Sequence, residues 1–313
     1  MLIITNRNVN EGATDETAFG ECVNDKGPNE LRLAHAVRRK GGWTVTLVEE
    51  PAVLTEANLP SRVEYKKLLK KCQTSGKHCV FFIHGFNKTF PETLEQGALI
   101  EKRYGVEAVV FSWPSNPGGF TPVEYRKARR IAQASFGALD AALEKFGRYV
   151  IEQPFDRDAL VECSVSINFM AYSLGNYLFQ NYVVSNDYAA ETRIFSNVIL
   201  CQADVDSEQH AGWVNQIVAG QRVYATLNEN DKVLAWSESV NYARLGRTLA
   251  NLEAANTVYV DVTRGEGVGN EHQIWGKVDN PAVTGFFKKV FAGVRGEDAS
   301  SFRYDERVNA FRL

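Results

Sequence analysis

Apolar and polar residues follow two different patterns along this chain. Short apolar runs recur, and some of them are uninterrupted, such as Cys79–Ile83. Continuous runs of this kind are typical of strands that are buried on both faces of a parallel sheet. Longer segments with helical periodicity lie between the runs, which indicates βαβ units. We therefore predict one α/β domain over residues 1–313, with a mostly parallel sheet of about eight strands and helices on both faces.

The predicted elements are bounded by polar or turn-forming residues. The strands are Leu2–Thr5, Trp43–Glu49, Cys79–His84, Ala108–Trp113, Val165–Ala171, Val198–Cys201, Val223–Leu227 and Thr257–Val262. The helices are Leu31–Arg39, Pro91–Tyr104, Pro122–Phe146, Leu174–Ser185, Glu208–Ala219, Val233–Leu245 and Val283–Phe291. Segment 122–146 is predicted to be a crossover helix with a basic outer face, and a role as a lid stays open. The tail, residues 298–313, is predicted either to pack on the domain or to mediate self-association.

Composition narrows the functional classes. The 313 residues are 44% hydrophobic and carry a net charge of −3, with no long basic stretch. This balance argues against nucleic acid as the main partner. No apolar run approaches 18 residues, so no membrane span is expected. Five scattered cysteines and the lack of a secretory leader favour a reducing, cytoplasmic location. The oligomeric state is left open.

The segment around Ser173 has the form of a nucleophile elbow, a tight turn between a buried strand and a helix. The apolar run Val165–Ala171 ends at the sequence Tyr-Ser-Leu-Gly, and helix-forming residues follow. The turn needs small residues two positions before and after the serine, because larger side chains would collide with the neighbouring strand or helix. Ala171 stands at the first position, where glycine is usual, and Gly175 at the second. We predict Ser173 as the nucleophile.

A serine hydroxyl needs a base to remove its proton and an acid to orient that base. In folds with this elbow, the serine, the acid and the histidine follow one another in that order along the chain. Of the five histidines, only His210 and His272 follow Ser173, and only His272 leaves room for a strand and an acid in between. His272 is therefore the predicted base.

Two aspartates compete for the role of the acid. Asp231 lies in a polar turn directly after the predicted strand Val223–Leu227, and it could also serve as a helix N-cap. Asp204 follows the predicted strand Val198–Cys201 and is the alternative acid. We predict Asp231 as the acid.

An oxyanion that forms during acyl transfer needs backbone N–H donors that are already in place. We predict Leu174, directly after the nucleophile, and Phe86, in the loop after Cys79–His84, as these donors. Gly85 and Asn87 are the fallback donors in the second loop. His84 is expected to brace that loop through hydrogen bonds. Loops at the carboxyl ends of strands line the site in such folds, so we predict a substrate pocket from the following residues, each of which could instead belong to the core: His84, Trp113, Phe120, Tyr172 and Trp275.

These segments resemble the α/β-hydrolases, and more narrowly a bacterial esterase/lipase-like family of unknown function. The similarity extends from about residue 2 to 275. It rests on the segments Thr5–Arg7, Phe82–Asn87, Phe111–Ser115, Ala171–Asn176, Ala203–Asp206, Asn230–Asp231 and Arg244–Gly246. The resemblance implies an α/β-hydrolase fold with Ser173, Asp231 and His272 as the triad. It implies no substrate, because the family itself has none assigned.

The sequence therefore predicts a serine hydrolase that cleaves a small-molecule carboxylic ester or thioester through an acyl-enzyme. This chemistry calls for no cofactor and no metal. Two other functions stay open. The same triad would serve an acyltransferase if water were excluded, and a hydrolase-like fold can also be a catalytically silent binding or scaffold protein.

Overall fold

The computed structural model describes residues 1–116, 118–152, 165–298 and 301–313. The chain forms two compact units, Met1–Ser166 and Ile167–Leu313. Parallel neighbouring strands followed by helices are present in both, which confirms the predicted α/β class. The organisation as a single domain stays a prediction. Cys163, one of the five scattered cysteines, and Pro117 lie outside the described residues.

In the first unit, β1 lies between a parallel and an antiparallel neighbour. The strands are β1 (Leu2–Thr5), β2 (Arg7–Val9), β3 (Phe19–Val23), β4 (Arg32–Arg39), β5 (Gly42–Leu47), β6 (Cys79–Ile83) and β7 (Glu107–Ser112). Their order is β6-β7-β1-β4-β5, and β2 and β3 form a separate hairpin. β6, β7 and β1 are parallel, whereas β4 and β5 are antiparallel to their neighbours.

The second unit contains a continuous parallel ladder. Its strands are β8 (Ile167–Tyr172), β9 (Asn197–Cys201), β10 (Arg222–Leu227), β11 (Thr257–Asp261), β12 (Arg303–Asp305) and β13 (Ala310–Arg312). Their order is β8-β9-β10-β11-β13-β12, and all neighbours are parallel except β12 and β13. The strand orders given for the two units contain five and six strands, without the β2–β3 hairpin. The sequence predicts about eight strands, so the structure has more than predicted.

The helices follow the strands along the chain. They are α1 (Pro60–Ser75), α2 (Phe90–Tyr104), α3 (Pro122–Ala134), α4 (Phe136–Glu152), α5 (Gly175–Val183), α6 (Ala211–Val214), α7 (Lys232–Glu238), α8 (Ile274–Lys277) and α9 (Pro281–Phe291). Local signals explain their ends. For example, α2 begins with a capping box between Thr89 and Glu92 and ends at Gly105, which is left-handed with φ 69°. None of the helices in the described residues is long and apolar enough to cross a membrane.

The predicted helix Leu31–Arg39 is wrong, because this segment is strand β4. Ala34 and Ala36 are buried, whereas His35 and Val37, which alternate with them, are exposed; this is the two-residue period of a strand. Ala34 pairs with Ile3 of β1 and Leu47 of β5, so pairing with two neighbours overrides the helical propensity of the sequence.

Other helices differ in length from the prediction. Segment 122–146 is two helices interrupted at Ser135, and α3 presents its basic residues Arg126, Lys127 and Arg130 to solvent as predicted. Helix α1 was not predicted, because its many charged residues hide the apolar stripe that it buries. The predicted helices over 208–219 and 233–245 are shorter in the structure, where they correspond to α6 and α7.

The tail packs on the second unit as a pair of strands. β13 extends the parallel ladder beside β11, and Arg312 binds the Asp261 carboxylate with 2.9 Å between Nε and Oδ2. Phe302 is buried and packs 5.9 Å from the ring of Phe286 in α9. The described part of the tail is therefore an integral element of this unit.

Arg7 organises the first unit from a fully buried position. All five of its N–H groups donate hydrogen bonds, including the three that reach backbone carbonyl groups. The acceptors are Ser112 Oγ (2.9 Å), Gly20 O (3.0 Å), Glu21 Oε2 (2.7 Å), Lys88 O (2.9 Å) and Trp113 O (2.8 Å). Glu21 in turn accepts the amide of Phe90 at 3.0 Å. Arg7 and Glu21 together therefore fix the end of β7 and the segment that precedes α2.

Replacement of Arg7 by methionine should lower the free energy of unfolding by about 3 kcal/mol, because buried carbonyl groups lose their donors. Urea unfolding measures the loss. The control is Arg148→Met, which removes an exposed helix pair with Glu144 and should cost less than about 0.5 kcal/mol. Equal losses in the two variants would show that Arg7 does not organise the unit.

Candidate active site

The carboxyl ends of four parallel strands define one edge of the sheet in the second unit. Ser173 follows β8, Gln202 follows β9, Asp231 follows β10, and His272 lies in the segment after β11. β8 to β11 are parallel neighbours, so the chain leaves all four strands at the same edge. The structure thus places the three predicted triad residues at the sheet edge where open α/β folds bind ligands.

Ser173 occupies a strained turn. Its φ is 54°, in the left-handed region that a non-glycine residue enters at a cost of about 1–2 kcal/mol. The turn is held by the next strand: the Ser173 amide donates to Cys201 O at 3.0 Å, and the Ser173 carbonyl accepts from the Asp204 amide at 3.2 Å. Backbone strain of this kind, stabilised by the surrounding structure, is the geometry expected of a nucleophile elbow.

Asn176 also stabilises this turn, and the sequence analysis assigned it no role. Its fully buried Nδ2 lies within hydrogen-bond distance of the carbonyl oxygens of Ala171 (2.9 Å), Ser173 (3.1 Å) and Cys201 (3.3 Å). One amide group thereby joins the end of β8, the turn and the end of β9. The same helix also carries Gln180 and Asn181, so the sequence gives no local signal that singles out Asn176.

Asp231 and His272 are in direct contact. His272 Nδ1 lies 2.6 Å from Asp231 Oδ2, and the aspartate side chain is completely buried. The other carboxylate oxygen accepts the amides of Val233 and Leu234 at 2.9 and 3.0 Å, so Asp231 is also the N-cap of α7. Asp231 thus contacts the predicted base with one oxygen and caps α7 with the other, while its role as the acid stays a prediction.

The second nitrogen of His272 has no protein partner among the residues that the structure describes. Nε2 is buried, and the ring packs 5.0 Å from that of Tyr172, the residue before Ser173. Buried polar atoms are nearly always hydrogen-bonded, so an unsatisfied Nε2 is available to a hydroxyl group or a ligand. Because Nδ1 faces a carboxylate, we assign the proton of the neutral ring to Nδ1, which leaves Nε2 as an acceptor.

The segment that carries His272 is tied to the end of β10 by Asn228. The side chain of this fully buried asparagine donates to Gly269 O at 3.0 Å and Glu271 O at 3.1 Å, while its Oδ1 accepts the Asn230 amide at 3.1 Å. Asn228 therefore fixes the distance between the turn of Asp231 and the loop of His272. The sequence analysis did not find this residue.

Asp204, the alternative acid, has different partners. Its Oδ1 accepts a hydrogen bond from Ser237 Oγ at 2.6 Å and lies 3.8 Å from Arg244, which also pairs with Asp206. Arg244 is buried, and its backbone forms a bridge with Asp206. This network holds the segment after β9, and it is Asp231 that contacts His272.

Two predicted oxyanion donors have amides without acceptors in their own surroundings. In the first unit, the amides of Asn87 and Lys88 donate to Ser115 at 2.9 and 3.1 Å, whereas the amide of Phe86 has no acceptor in the described part of the chain. In the second unit, the same holds for Leu174, at the start of α5, over the described ranges. Both amides are free to bind an acceptor supplied by a ligand.

His84 braces the loop that carries Phe86. Its Nε2 accepts the Trp113 amide at 3.1 Å, and its Nδ1 lies 3.0 Å from Gly85 O. The Trp113 indole stacks on the imidazole at 5.6 Å and donates to His84 O at 3.0 Å. Burial, reinforced by the charge of Arg7, holds the pKa of His84 well below its ordinary value. His84 and Trp113 have no exposed surface, so their observed role is structural support of the loop.

The other predicted pocket residues divide between the two units. Phe120 is 47% exposed and packs 5.5 Å from Phe86 in the first unit. In the second unit, Tyr172 contacts both His272 and Trp275, whose ring lies 5.7 Å away in a perpendicular orientation. Burial raises the pKa of Tyr172 well above its ordinary value, so its hydroxyl stays protonated.

Comparison with known protein families identifies the class of this protein as an alpha/beta hydrolase, which confirms the predicted fold. More narrowly, the chain belongs to the family described as alpha/beta hydrolase of unknown function (DUF900), whose sequence profile matches residues 61–264, or 204 of the 313 positions. Ser173 and Asp231 lie within the matched range, whereas Arg7 and His272 lie outside it. No curated protein and no solved structure gave a significant match.

Gly246 allows the segment after β9 to pack closely against the loop after α7. A Cβ atom at this position would lie 2.4 Å from Ala203 N and 2.4 Å from Gln202 C, which are backbone atoms. Gly246→Ala should therefore lower the free energy of unfolding by about 1–3 kcal/mol, measured by urea unfolding. Gly212→Ala in α6 is the control, because nothing lies within 4 Å of its added methyl group. If Gly246→Ala is as stable as that control, Gly246 does not pack against the backbone of Gln202 and Ala203 as closely as described.

The neutral state of His84 predicts a loss of stability in acid. The folded state holds the His84 pKa below its unfolded value of about 6.5, so the unfolded state binds more protons as the pH falls. Acidification from pH 7.5 to 5.5 should therefore cost the wild type on the order of 1 kcal/mol of unfolding free energy through this residue. His84→Gln should show a correspondingly shallower dependence in urea titrations, and parallel profiles for the two proteins would contradict the assignment.

Proposed function

We propose that this protein is a serine hydrolase that cleaves a carboxylic ester or thioester through an acyl-enzyme. The observation that carries the proposal is the 2.6 Å contact between His272 Nδ1 and Asp231 Oδ2, combined with a buried His272 Nε2 that has no partner in the described residues. An imidazole that is oriented by a buried carboxylate on one side and available on the other is the arrangement that a general base requires.

Acylation follows from this arrangement. Ser173 Oγ attacks the carbonyl carbon of the substrate, and its proton passes to His272 Nε2. The new bond between Oγ and carbon produces a tetrahedral oxyanion. When this intermediate collapses, the bond to the leaving alcohol or thiol breaks, and His272 returns the proton to that group. Asp231 stabilises the transient imidazolium and keeps its orientation.

Deacylation uses the same groups with water as the nucleophile. His272 Nε2 takes a proton from water, the hydroxide oxygen attacks the acyl carbon, and collapse of the second intermediate returns the proton to Ser173 Oγ. We propose the amide of Leu174 as a donor that stabilises the oxyanion in both steps, since a backbone N–H group held in place requires no reorganisation during the reaction. Support for this assignment is that the Leu174 amide has no acceptor among the described residues.

Tyr172 and Trp275 support a substrate with an apolar acyl or aryl group. The Tyr172 ring packs 5.0 Å from the His272 imidazole, and the Trp275 ring packs on Tyr172, so the base has an aromatic neighbour that is itself held by a second aromatic ring. Of the predicted pocket residues, Phe120 is the one with a large exposed apolar surface. We propose that Tyr172, which packs directly against the His272 imidazole, influences the preference for the acyl group.

The test is hydrolysis of p-nitrophenyl esters from acetate to palmitate, together with labelling by a fluorophosphonate probe. Ser173→Ala should abolish turnover and labelling, because the nucleophile is lost. Asp231→Asn should lower kcat by about 10³- to 10⁴-fold, because the amide no longer holds the productive tautomer of His272. Ser185→Ala is the matched control, since Ser185 lies after α5 and its hydroxyl donates to the carbonyl oxygen of Tyr182 at 2.7 Å.

Each result discriminates among the proposed functions. Turnover that disappears in Ser173→Ala but persists in Ser185→Ala supports a serine hydrolase. Ester products that dominate when an alcohol acceptor is added would instead indicate an acyltransferase. A folded wild type that neither turns over esters nor labels at Ser173 would contradict the proposal and favour a binding or scaffold protein.

A further inference from the structure

Gln202 lies between the strand ladder and the Asp231 carboxylate. It follows β9 directly, is fully buried, and adopts the left-handed region with φ 43°. Its Nε2 lies 3.2 Å from Asp231 Oδ2 and 3.4 Å from Gly246 O, and its Oε1 accepts the Thr226 hydroxyl at 3.0 Å. Nothing in the sequence analysis pointed to this residue.

The chemistry of these partners determines the orientation of the Gln202 amide. A carboxylate and a carbonyl group are both acceptors, so they must face the NH₂ group, while the hydroxyl of Thr226 can donate to the oxygen. The opposite orientation would place the amide oxygen against two acceptors. The NH₂ group of Gln202 therefore faces the acceptor oxygen of Asp231.

With Gln202 in place, the Asp231 carboxylate is saturated. Oδ2 accepts from His272 and Gln202, and Oδ1 accepts the amides of Val233 and Leu234. A carboxylate offers about four acceptor positions, so these donors leave it no freedom to rotate. The helix amides fix one oxygen, and Gln202 is the protein donor that fixes the other on the side of His272.

We propose that Gln202 is a positioning residue that holds Asp231 Oδ2 in the orientation required by His272 Nδ1. The inference rests on the proposed function, because the pair matters for catalysis only if His272 is the base. The local structure supports it. A glutamine in the left-handed region is strained, and strain of this kind persists where the surroundings fix it. Gly246 packs against the backbone of Gln202 so closely that no Cβ atom fits between them.

The first test replaces Gln202 by methionine, which keeps the length of the side chain and removes the donor. The second-order rate constant for fluorophosphonate labelling should fall by about 10- to 100-fold, because a hydrogen bond to a buried charged group is lost. Gln96→Met is the matched control. Gln96 is also a buried glutamine, but its amide atoms have no partner among the described residues, so labelling should stay within twofold of the wild type.

The second test replaces Gln202 by glutamate and gives a readout that a purely structural role would not change. When the introduced carboxyl group is ionised, it opposes the Asp231 carboxylate; when it is protonated, it can donate to that carboxylate again. A carboxyl group beside a carboxylate keeps its proton to higher pH than usual. The ratio of the labelling rates of Gln202→Glu and wild type should therefore rise as the pH falls from 8 to 6. A constant ratio would overturn the proposal.

A measurement that needs no activity separates this inference from the proposed function. The Nδ1 proton of His272 should give a downfield ¹H NMR resonance in the wild type, which can be assigned by its loss in His272→Ala. Gln202→Met should shift or broaden this resonance, and an unchanged resonance would overturn the positioning role even if the wild type labels well. A shifted resonance with no labelling of the wild type would support the positioning role and reject the hydrolase proposal.

If Gln202→Met fails to fold, Thr226→Val takes its place. This variant keeps Gln202 but removes the hydroxyl that fixes its Oε1. Labelling should fall about two- to fivefold, with a broadened Nδ1 proton resonance, because the NH₂ group is less well oriented. Wild-type labelling and an unchanged resonance in Thr226→Val would contradict the chain of contacts from Thr226 through Gln202 to Asp231.

Discussion

The arrangement of the second unit depends on the hydrogen bonds that the buried carboxylate of Asp231 accepts. An ionised carboxylate away from water is stable only when donors surround it. Those donors come from three parts of the chain: the first turn of α7, Gln202 after β9, and His272 after β11. The need to satisfy one charge therefore determines where a helix begins, how the segment after β9 turns, and where the imidazole lies.

Left-handed backbone at non-glycine residues recurs after the parallel strands. Ser173 follows β8, Gln202 follows β9, and Asn87 lies in the loop after β6 of the first unit, with φ values of 54°, 43° and 55°. Each of these residues is in a segment held by hydrogen bonds from a neighbouring part of the chain. The strands and their neighbours thus stabilise turns that would be unfavourable in isolation, which gives backbone and side-chain groups at the sheet edge fixed positions.

The sequence was sufficient for the elements that have strong local signals. Continuous apolar runs located β6, β8 and β10 to within one or two residues, and the spacing around Ser173 located the strained turn. The sequence pattern gave a wrong prediction where tertiary contacts determine the secondary structure. The sequence of β4 has helical periodicity, but its pairing with β1 and β5 makes it a strand. The contact between His272 and Asp231 could be anticipated from chain order. Gln202, Asn176 and Asn228 could not, because nothing local distinguishes a buried amide that joins distant segments from one on the surface.

The five hydrogen bonds of Arg7 also constrain the order in which the first unit can be completed. The guanidinium group binds carbonyl groups 81 and 106 residues further along the chain. At synthesis rates of about 5–20 residues per second, Arg7 waits on the order of 5–20 s before its last acceptor has been made. During that interval the charged group must stay in water, so the opening strands cannot bury it early. The β2–β3 hairpin is therefore expected to dock only after β7 has formed, which makes the earliest part of the chain one of the last to reach its final packing.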